Sequence, residues 1–405
     1  MEQFWPKMLL HEGPLLDWFG AYERLLTDKG YSYQYIHHYI RVVADFSAWL
    51  KLKKISAQDV TYESAHRYLR YRARYRRPRK DHPGALERVV QWLQQNGIAA
   101  KEAPVAKTAT EQLLNEYSLY LLQERGLATA TIFGYTWRAR LFLAKQPGAP
   151  AAELSSLGAG EVIKFVQSEA ARLRSAMAAR TLATGLRSFL RYARYRGYIK
   201  LDLAAAVPKV ACWAMTSIPK GIAPNDARRA LASCDRRTAI GRRDYAMLLL
   251  LIRLGLRAGE VASLTLDDID WKDGTLTIHG KGNPESSLPL LAPVGRAIAA
   301  YLKNGRPHSQ SRRVFLCKNA PIREFKNGYS VVGAVGRALD AAGIDTPRKG
   351  AHQFRHALAT HMLSRGSSLA EIGEILRHKS PNTTQMYAKV DLKSLRALTP
   401  PWPSL

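Results

Sequence analysis

The sequence predicts a mainly α-helical protein of several domains carrying one small antiparallel β-sheet, and three observations predict it. Apolar residues recur at helical spacing through most of the chain. One stretch in the last third instead alternates at strand period on both sides of a turn. The 405 residues, 46% of them hydrophobic, are enough for more than one core.

Taken in order, Leu16, Phe19, Tyr22 and Leu26 run to a stop at Gly30, and Ile36, Tyr39, Ile40, Val43 and Phe46 resume the helical period. The pattern then returns, pairing Leu26/Leu122, Gly30/Gly126, Ile36/Ile132, Tyr39/Tyr135 and Phe46/Phe142, with Tyr22/Tyr117 displaced by one. Further on, Leu86/Leu186, Val90/Leu190 and Gly97/Gly197 pair at a slightly wider spacing. Such self-similarity predicts a duplicated helical domain, residues 1–104 and 107–208. Pro208, Pro219 and Gly221 without any period predict a linker over 209–223.

The next domain, 224–391, is expected to open with a helix capped by Asn225, followed by an apolar helix over Arg242–Leu256 and helical spacing over Glu260–Leu266. Thr275–His279 and Ser287–Leu291 flank GKGNPE and read as a β-hairpin, and helices follow to about Asp391. In the tail, 392–405, Leu392, Leu395 and Leu398 form an apolar stripe suited to a neighbouring protomer.

The charge is lopsided: 61 Lys and Arg against 33 Asp and Glu give +28, which repels itself unless a polyanion neutralises it, so nucleic acid is the expected partner. Two basic runs would supply the contacts. In RYLRYRARYRRPRK, Tyr68, Leu69, Tyr71 and Tyr75 would pack inward while Arg67, Arg70, Arg72, Arg74, Arg76 and Arg77 face a phosphate backbone. In Arg180–Lys200, the same role falls to Arg180, Arg187 and Arg191. The three cysteines, Cys212, Cys234 and Cys317, form no CxxC pair, which argues against a disulfide framework or zinc knuckle and for a reducing cytoplasm. No secretory leader or membrane span is expected, because the most apolar segment, Ala246–Leu256, contains Arg253 and is too short.

Three constellations compete for the chemistry. HQFRH, with His352 and His356, imitates a zinc helix, but Gln353 cannot serve as the general base such a site needs. Asp267, Asp268 and Asp270 could hold metal, yet carboxylates in a turn before a strand more often cap it. The third set is Arg257, Lys281, His352, Arg355, His378 and Tyr387, which suits phosphoryl transfer without metal. Two guanidiniums can bridge the non-bridging oxygens of a phosphodiester, a tyrosine hydroxyl can attack phosphorus, and a cationic acid can protonate the departing oxygen.

The text GLRAGEVASLTLDDID, the hairpin GKG, HQFRHALATHML and GEILRHKSPNTTQMYAKV resembles the tyrosine recombinase (phage-integrase) family, closely over 222–391 and more loosely over 107–208, where the family carries a helical core-binding domain. The resemblance implies that Arg257 and Arg355 clamp the scissile phosphate, Lys281 is general acid to the 5′-oxygen, His352 assists proton transfer, His378 bonds the phosphate and Tyr387 becomes a 3′-phosphotyrosine. Glu260 would buttress Arg257. It also implies double-stranded DNA with specific recombination sites, a tetramer in the synapse, a Holliday-junction intermediate, sister recombinases or accessory factors, and no metal, nucleotide or other cofactor. The added first repeat would contact DNA or a protomer and suits integration or transposition of a mobile element. A type IB topoisomerase-like relaxing enzyme and a catalytically inactive architectural DNA-binding protein are the rival readings. Three departures stand out: Phe354 where leucine is frequent, Arg377 where glycine is usual, both expected to be tolerated, and a hairpin without a second basic residue after GKG.

Overall fold

The computed structural model describes residues 12–101, 108–145, 154–173, 175–211, 221–280, 285–346, 349–378 and 380–388. Lys281, most of the expected linker and the whole tail, with its leucine stripe, lie outside these residues. Helix accounts for 62% of the structure, and the one sheet has three antiparallel strands, so the predicted fold class holds. Packing divides the chain into two compact units, Glu102–Thr216, and Met1–Lys101 together with Ser217–Leu405.

The N-terminal part of the larger unit packs α1 (Phe19–Asp28), α2 (Tyr33–Leu52), α3 (Tyr62–Ala73) and α4 (His82–Gln95) around Tyr22, Leu26, Phe46, Leu50, Leu86 and Val90. Local chemistry sets the ends. Thr61 and Ser64 exchange side-chain hydrogen bonds with each other's N–H at 3.1 Å, which satisfies donors that the first turn of α3 would leave open. The other unit repeats the order with α5 (Ala109–Gln123), α6 (Thr129–Leu143), α7 (Ala159–Arg172) and α8 (Ala176–Tyr195), then a short α9 (Leu203–Ala206).

The paired positions behave alike. Gly30 and Gly126, and Gly97 and Gly197, all have positive φ, where a Cβ is strained. Ile36/Ile132, Phe46/Phe142, Leu86/Leu186 and Val90/Leu190 are all buried. One pairing shifts: Leu121, at 1% exposure, fills the place of Leu26, while Leu122 is 52% exposed. Tyr22/Tyr117 is thus in register with Leu26/Leu121, and the extra residue enters between that helix and Gly126.

The basic run of the first copy departs from its expected facing. Tyr68 is buried, but Tyr71, in the last turn of α3, is 37% exposed, and Tyr75, beyond the end of α3 at Ala73, is 73% exposed. Arg72 is not free for a ligand: its Nη1 donates to Asp45 Oδ2 at 2.9 Å and Tyr68 Oη at 2.8 Å, fastening α3 to α2. Arg187 likewise holds the backbone carbonyls of Val207 and Pro208 at 2.9 and 2.8 Å. Arg67, Arg70, Arg74, Arg76, Arg77, Arg180 and Arg191 are exposed.

The C-terminal part opens with α10 (Pro224–Ala232), in which Ala223 is the cap and Asn225 lies inside the first turn, because Pro224 already has the φ of a first helical residue. Thr238 caps α11 (Ala239–Leu254), the buried central helix, and α12 (Ala258–Ser263) ends before Leu264 instead of continuing to Leu266. β1 (Ile269–Asp270), β2 (Thr275–His279) and β3 (Glu285–Pro289) follow, with Leu276 opposite Leu288 and Pro289 on the edge strand, where no donor is missed. The three aspartates serve this turn: Asp267 pairs with Arg312, Asp268 accepts from the Thr265 N–H at 2.7 Å, and Asp270 accepts from the N–H groups of Lys272 and Asp273. α13 (Ala292–Asn304), α14 (Tyr329–Ala341), α15 (His352–Ser364), α16 (Leu369–Ile375) and α17 (Pro381–Gln385) complete it. Buried Asp244 on α11 binds Arg243 and reaches Arg337 on α14 at 2.6 Å. None of the described helices is long and apolar enough to cross a membrane.

Gly255 ends α11 at φ +58, and a Cβ there would lie 2.8 Å from Leu376 and 2.9 Å from Leu358. Gly255→Ala should therefore cost at least about 1–2 kcal/mol from the left-handed backbone alone, seen as a lowered Tm in thermal unfolding.

Candidate active site

The tight turn at Gly255 sends buried Leu256 into the core and makes Arg257 the cap of α12. Glu260, one turn on, does two jobs: Oε2 accepts from the Arg257 N–H at 2.8 Å and Oε1 from its guanidinium Nη1 at 2.6 Å. The expected buttress is thus present, and it is also the helix cap. Arg257 Nη2 continues to the carbonyl of Arg377 at 3.3 Å.

The first turn of α15 carries His352 and Arg355. Arg355, 3% exposed, donates from Nη1 to the Gly255 carbonyl at 2.6 Å and from Nη2 to that of Leu376. Both contacts are to neutral groups, so its charge is not cancelled; burial, then repulsion from Arg257 and Arg377, pushes its pKa down to about 10, which leaves it protonated at neutral pH.

Behind the arginines stand imidazoles. Burial, then Arg355 and Arg257, holds His352 below the usual histidine range. The same causes, joined by Arg377 and His356, push His378 down to about 4. His378 Nδ1 lies 2.7 Å from the buried Thr384 hydroxyl. Tyr387, 1% exposed, stacks on His378 with the rings 6.5 Å apart and 7° from parallel, and its Oη lies 2.8 Å from His356 Nδ1. Burial raises the phenol pKa while Arg355 pulls it back.

Five of the six residues expected to act together, Arg257, His352, Arg355, His378 and Tyr387, therefore meet in one small region, and Lys281 lies outside the described residues. Three more belong to it. His356 shares a helix face with His352 one turn earlier, a spacing first weighed only as zinc ligation. Among the described residues the only group of ligand types close enough for a metal is His38, Asp81 and His82, so HQFRH forms no such cluster. Thr384 gave no signal beyond its place between His378 and Tyr387. Arg377, read as a tolerated exchange for glycine, instead puts its guanidinium on Glu260 Oε2 at 2.9 Å.

A mainly helical frame with a small sheet that gathers guanidiniums, neutral imidazoles and one tyrosine points to a tyrosine-type recombinase, and comparison with known proteins agrees. The chain belongs to the phage integrase family, whose family model matches residues 220–393. A Sinorhizobium fredii protein named as an integrase/recombinase, y4rA, is 45% identical over 394 residues, 97% of this chain and 95% of its own. Tyrosine recombinase XerD of Listeria monocytogenes serotype 4b is 28% identical over 69% of this chain and 94% of its own. The crystal structure of XerH site-specific recombinase bound to palindromic difH substrate shares the fold, with a TM-score of 0.56 and 19% identity over 84% of this chain and 96% of that one. The protein is thus a tyrosine-type recombinase or integrase, an enzyme of DNA recombination.

The depressed His378 has a consequence for stability. The unfolded chain takes up this proton below about pH 6.5, whereas the folded chain resists it until about pH 4. Stability from this group is complete above pH 6.5 and is lost as pH falls toward 4. Between pH 7 and 5 the Tm of His378→Gln should fall less than that of the wild type in differential scanning fluorimetry.

Proposed function

We propose that the protein is a site-specific recombinase that cuts and rejoins double-stranded DNA through a 3′-phosphotyrosine at Tyr387, without metal or ATP. The observation that carries this reading is the position of Tyr387 beside two imidazoles, His356 and His378, and a buried, uncancelled guanidinium. Arg257 and Arg355 bind the two non-bridging oxygens of the scissile phosphate and stabilise the charge of the pentavalent transition state. Tyr387 Oη attacks phosphorus as its proton passes toward His356 Nδ1. The bond from phosphorus to the 5′-oxygen breaks, and Lys281 protonates that oxygen. His352 assists the proton transfers and His378 donates to a phosphate oxygen. The new ester keeps the energy of the broken one, so a second hydroxyl can reverse the step on another strand.

Recombination on this scheme requires a tetramer holding two DNA segments through a Holliday junction, with sister recombinases or accessory factors where the site demands them. The basic four-helix copies grip DNA, and integration or transposition of a mobile element fits both the added copy and the relative named as an integrase/recombinase. The cytoplasm is the proposed compartment.

Nicked duplexes tiled across the DNA flanking the gene should trap a covalent adduct with the wild type and none with Tyr387→Phe, read on denaturing gels. Relaxation of supercoiled plasmid lacking any such site would instead support a topoisomerase, and absence of any adduct a purely architectural protein. Of the basic runs, Arg70→Ala and Arg74→Ala should weaken DNA binding and each reduce the salt slope by about one, in fluorescence anisotropy at several salt concentrations. Arg72→Ala and Arg187→Ala should chiefly lower Tm, because these side chains hold the fold.

A further inference from the structure

Arg377 is unusual on two counts. It is one of two non-glycine residues described at positive φ, at +54, a backbone region that favours glycine and where the family resemblance expects it. Its side chain is nonetheless buried, 10% exposed, and is spent on the carboxylate that already holds Arg257. A residue that tolerates strain in its backbone and burial of its charge at one point needs a reason at that point.

Charge supplies the reason. Glu260 taken with Arg257 alone is a neutral pair, and only Arg355 would then face a phosphate with net charge. With Arg377 on the second carboxylate oxygen, Glu260 is shared by two guanidiniums, and with Arg355 held on neutral carbonyls three guanidiniums stand against one carboxylate, so two positive charges remain. A phosphodiester carries one negative charge and its pentavalent transition state approaches two, so the surplus matches the state to be stabilised and exceeds what the ground state needs. The partition is also geometric: Glu260 Oε1 serves Arg257 Nη1 and Oε2 serves Arg377 Nη2, so Arg257 keeps Nη2 toward the His378 turn.

We propose that Arg377 is a positioning residue of the active site, acting through Glu260 to cancel its charge and so leave Arg257 a full positive charge for the phosphate. This role rests on the strand-transfer reading of the site given above.

The test uses the full-length protein on the nicked duplex that traps Tyr387, made with an ordinary phosphodiester and with an uncharged methylphosphonate at the scissile position. Arg377→Gly suits the backbone, so its Tm should stay close to that of the wild type. Its rate of adduct formation on the phosphodiester should fall about tenfold or more, while on the methylphosphonate, which is neutral in its ground state and has one negative charge less in its transition state, wild type and variant should differ far less. Arg377→Lys, which keeps the charge, should recover part of the phosphodiester rate. An unchanged phosphodiester rate in Arg377→Gly, or an equal loss on both substrates, would overturn the role for Arg377 while leaving the strand-transfer reading intact. If the wild type forms no adduct on any duplex, that reading fails and the role of Arg377 falls with it.

Discussion

The site depends on one carboxylate. Burial alone would push Glu260 upward, but the Arg257 N–H and the guanidiniums of Arg377 and Arg257 outweigh it and hold the group below the usual carboxylate range. That single anion caps α12, aims Arg257 and fixes Arg377, joining the turn after α11 to the turn after α16. Gly255 stands at the same junction, its carbonyl taken by Arg355 and its missing side chain leaving room for Leu358 and Leu376. Helices from distant parts of the sequence thus share a few backbone carbonyls as their common anchor.

Around that anchor the charges are unequal by design of the packing. Arg257 is part-exposed and shares Glu260 with Arg377, whereas Arg355 is buried against neutral carbonyls. Burial, joined by this positive charge, holds His352 and His378 below the usual histidine range and so keeps them neutral near neutral pH. Tyr387 is withdrawn from solvent and hydrogen-bonded to His356, so the phenol stays protonated until something lowers its cost of ionisation. On the proposed reading, an anionic phosphate between the two arginines would change this balance at both the imidazoles and the phenol.

The basic runs divide according to what each arginine can reach. Arg72 and Arg187 find carboxylate or carbonyl partners inside their own helical bundles, and Arg67, Arg70, Arg180 and Arg191 stay exposed. Alternating Arg and Tyr in the sequence could not separate these roles, because which arginine finds a partner depends on how the helices of its bundle pack, as where α2 brings Asp45 to Arg72.

The sequence by itself determined the helical class, the hairpin at Thr275–His279 and five of the residues that meet in the site, because periodicity, glycine stops and ordered motifs are local signals. It also paired Gly30 with Gly126 and Gly97 with Gly197, and all four have positive φ, where glycine is favoured. Only the tertiary structure decided that His356 serves Tyr387, that Thr384 orients His378, and that Arg377 shares Glu260 with Arg257. The reason is physical: a side chain's partner across the fold depends on where helices cross, and composition and spacing along the chain hold no record of that crossing.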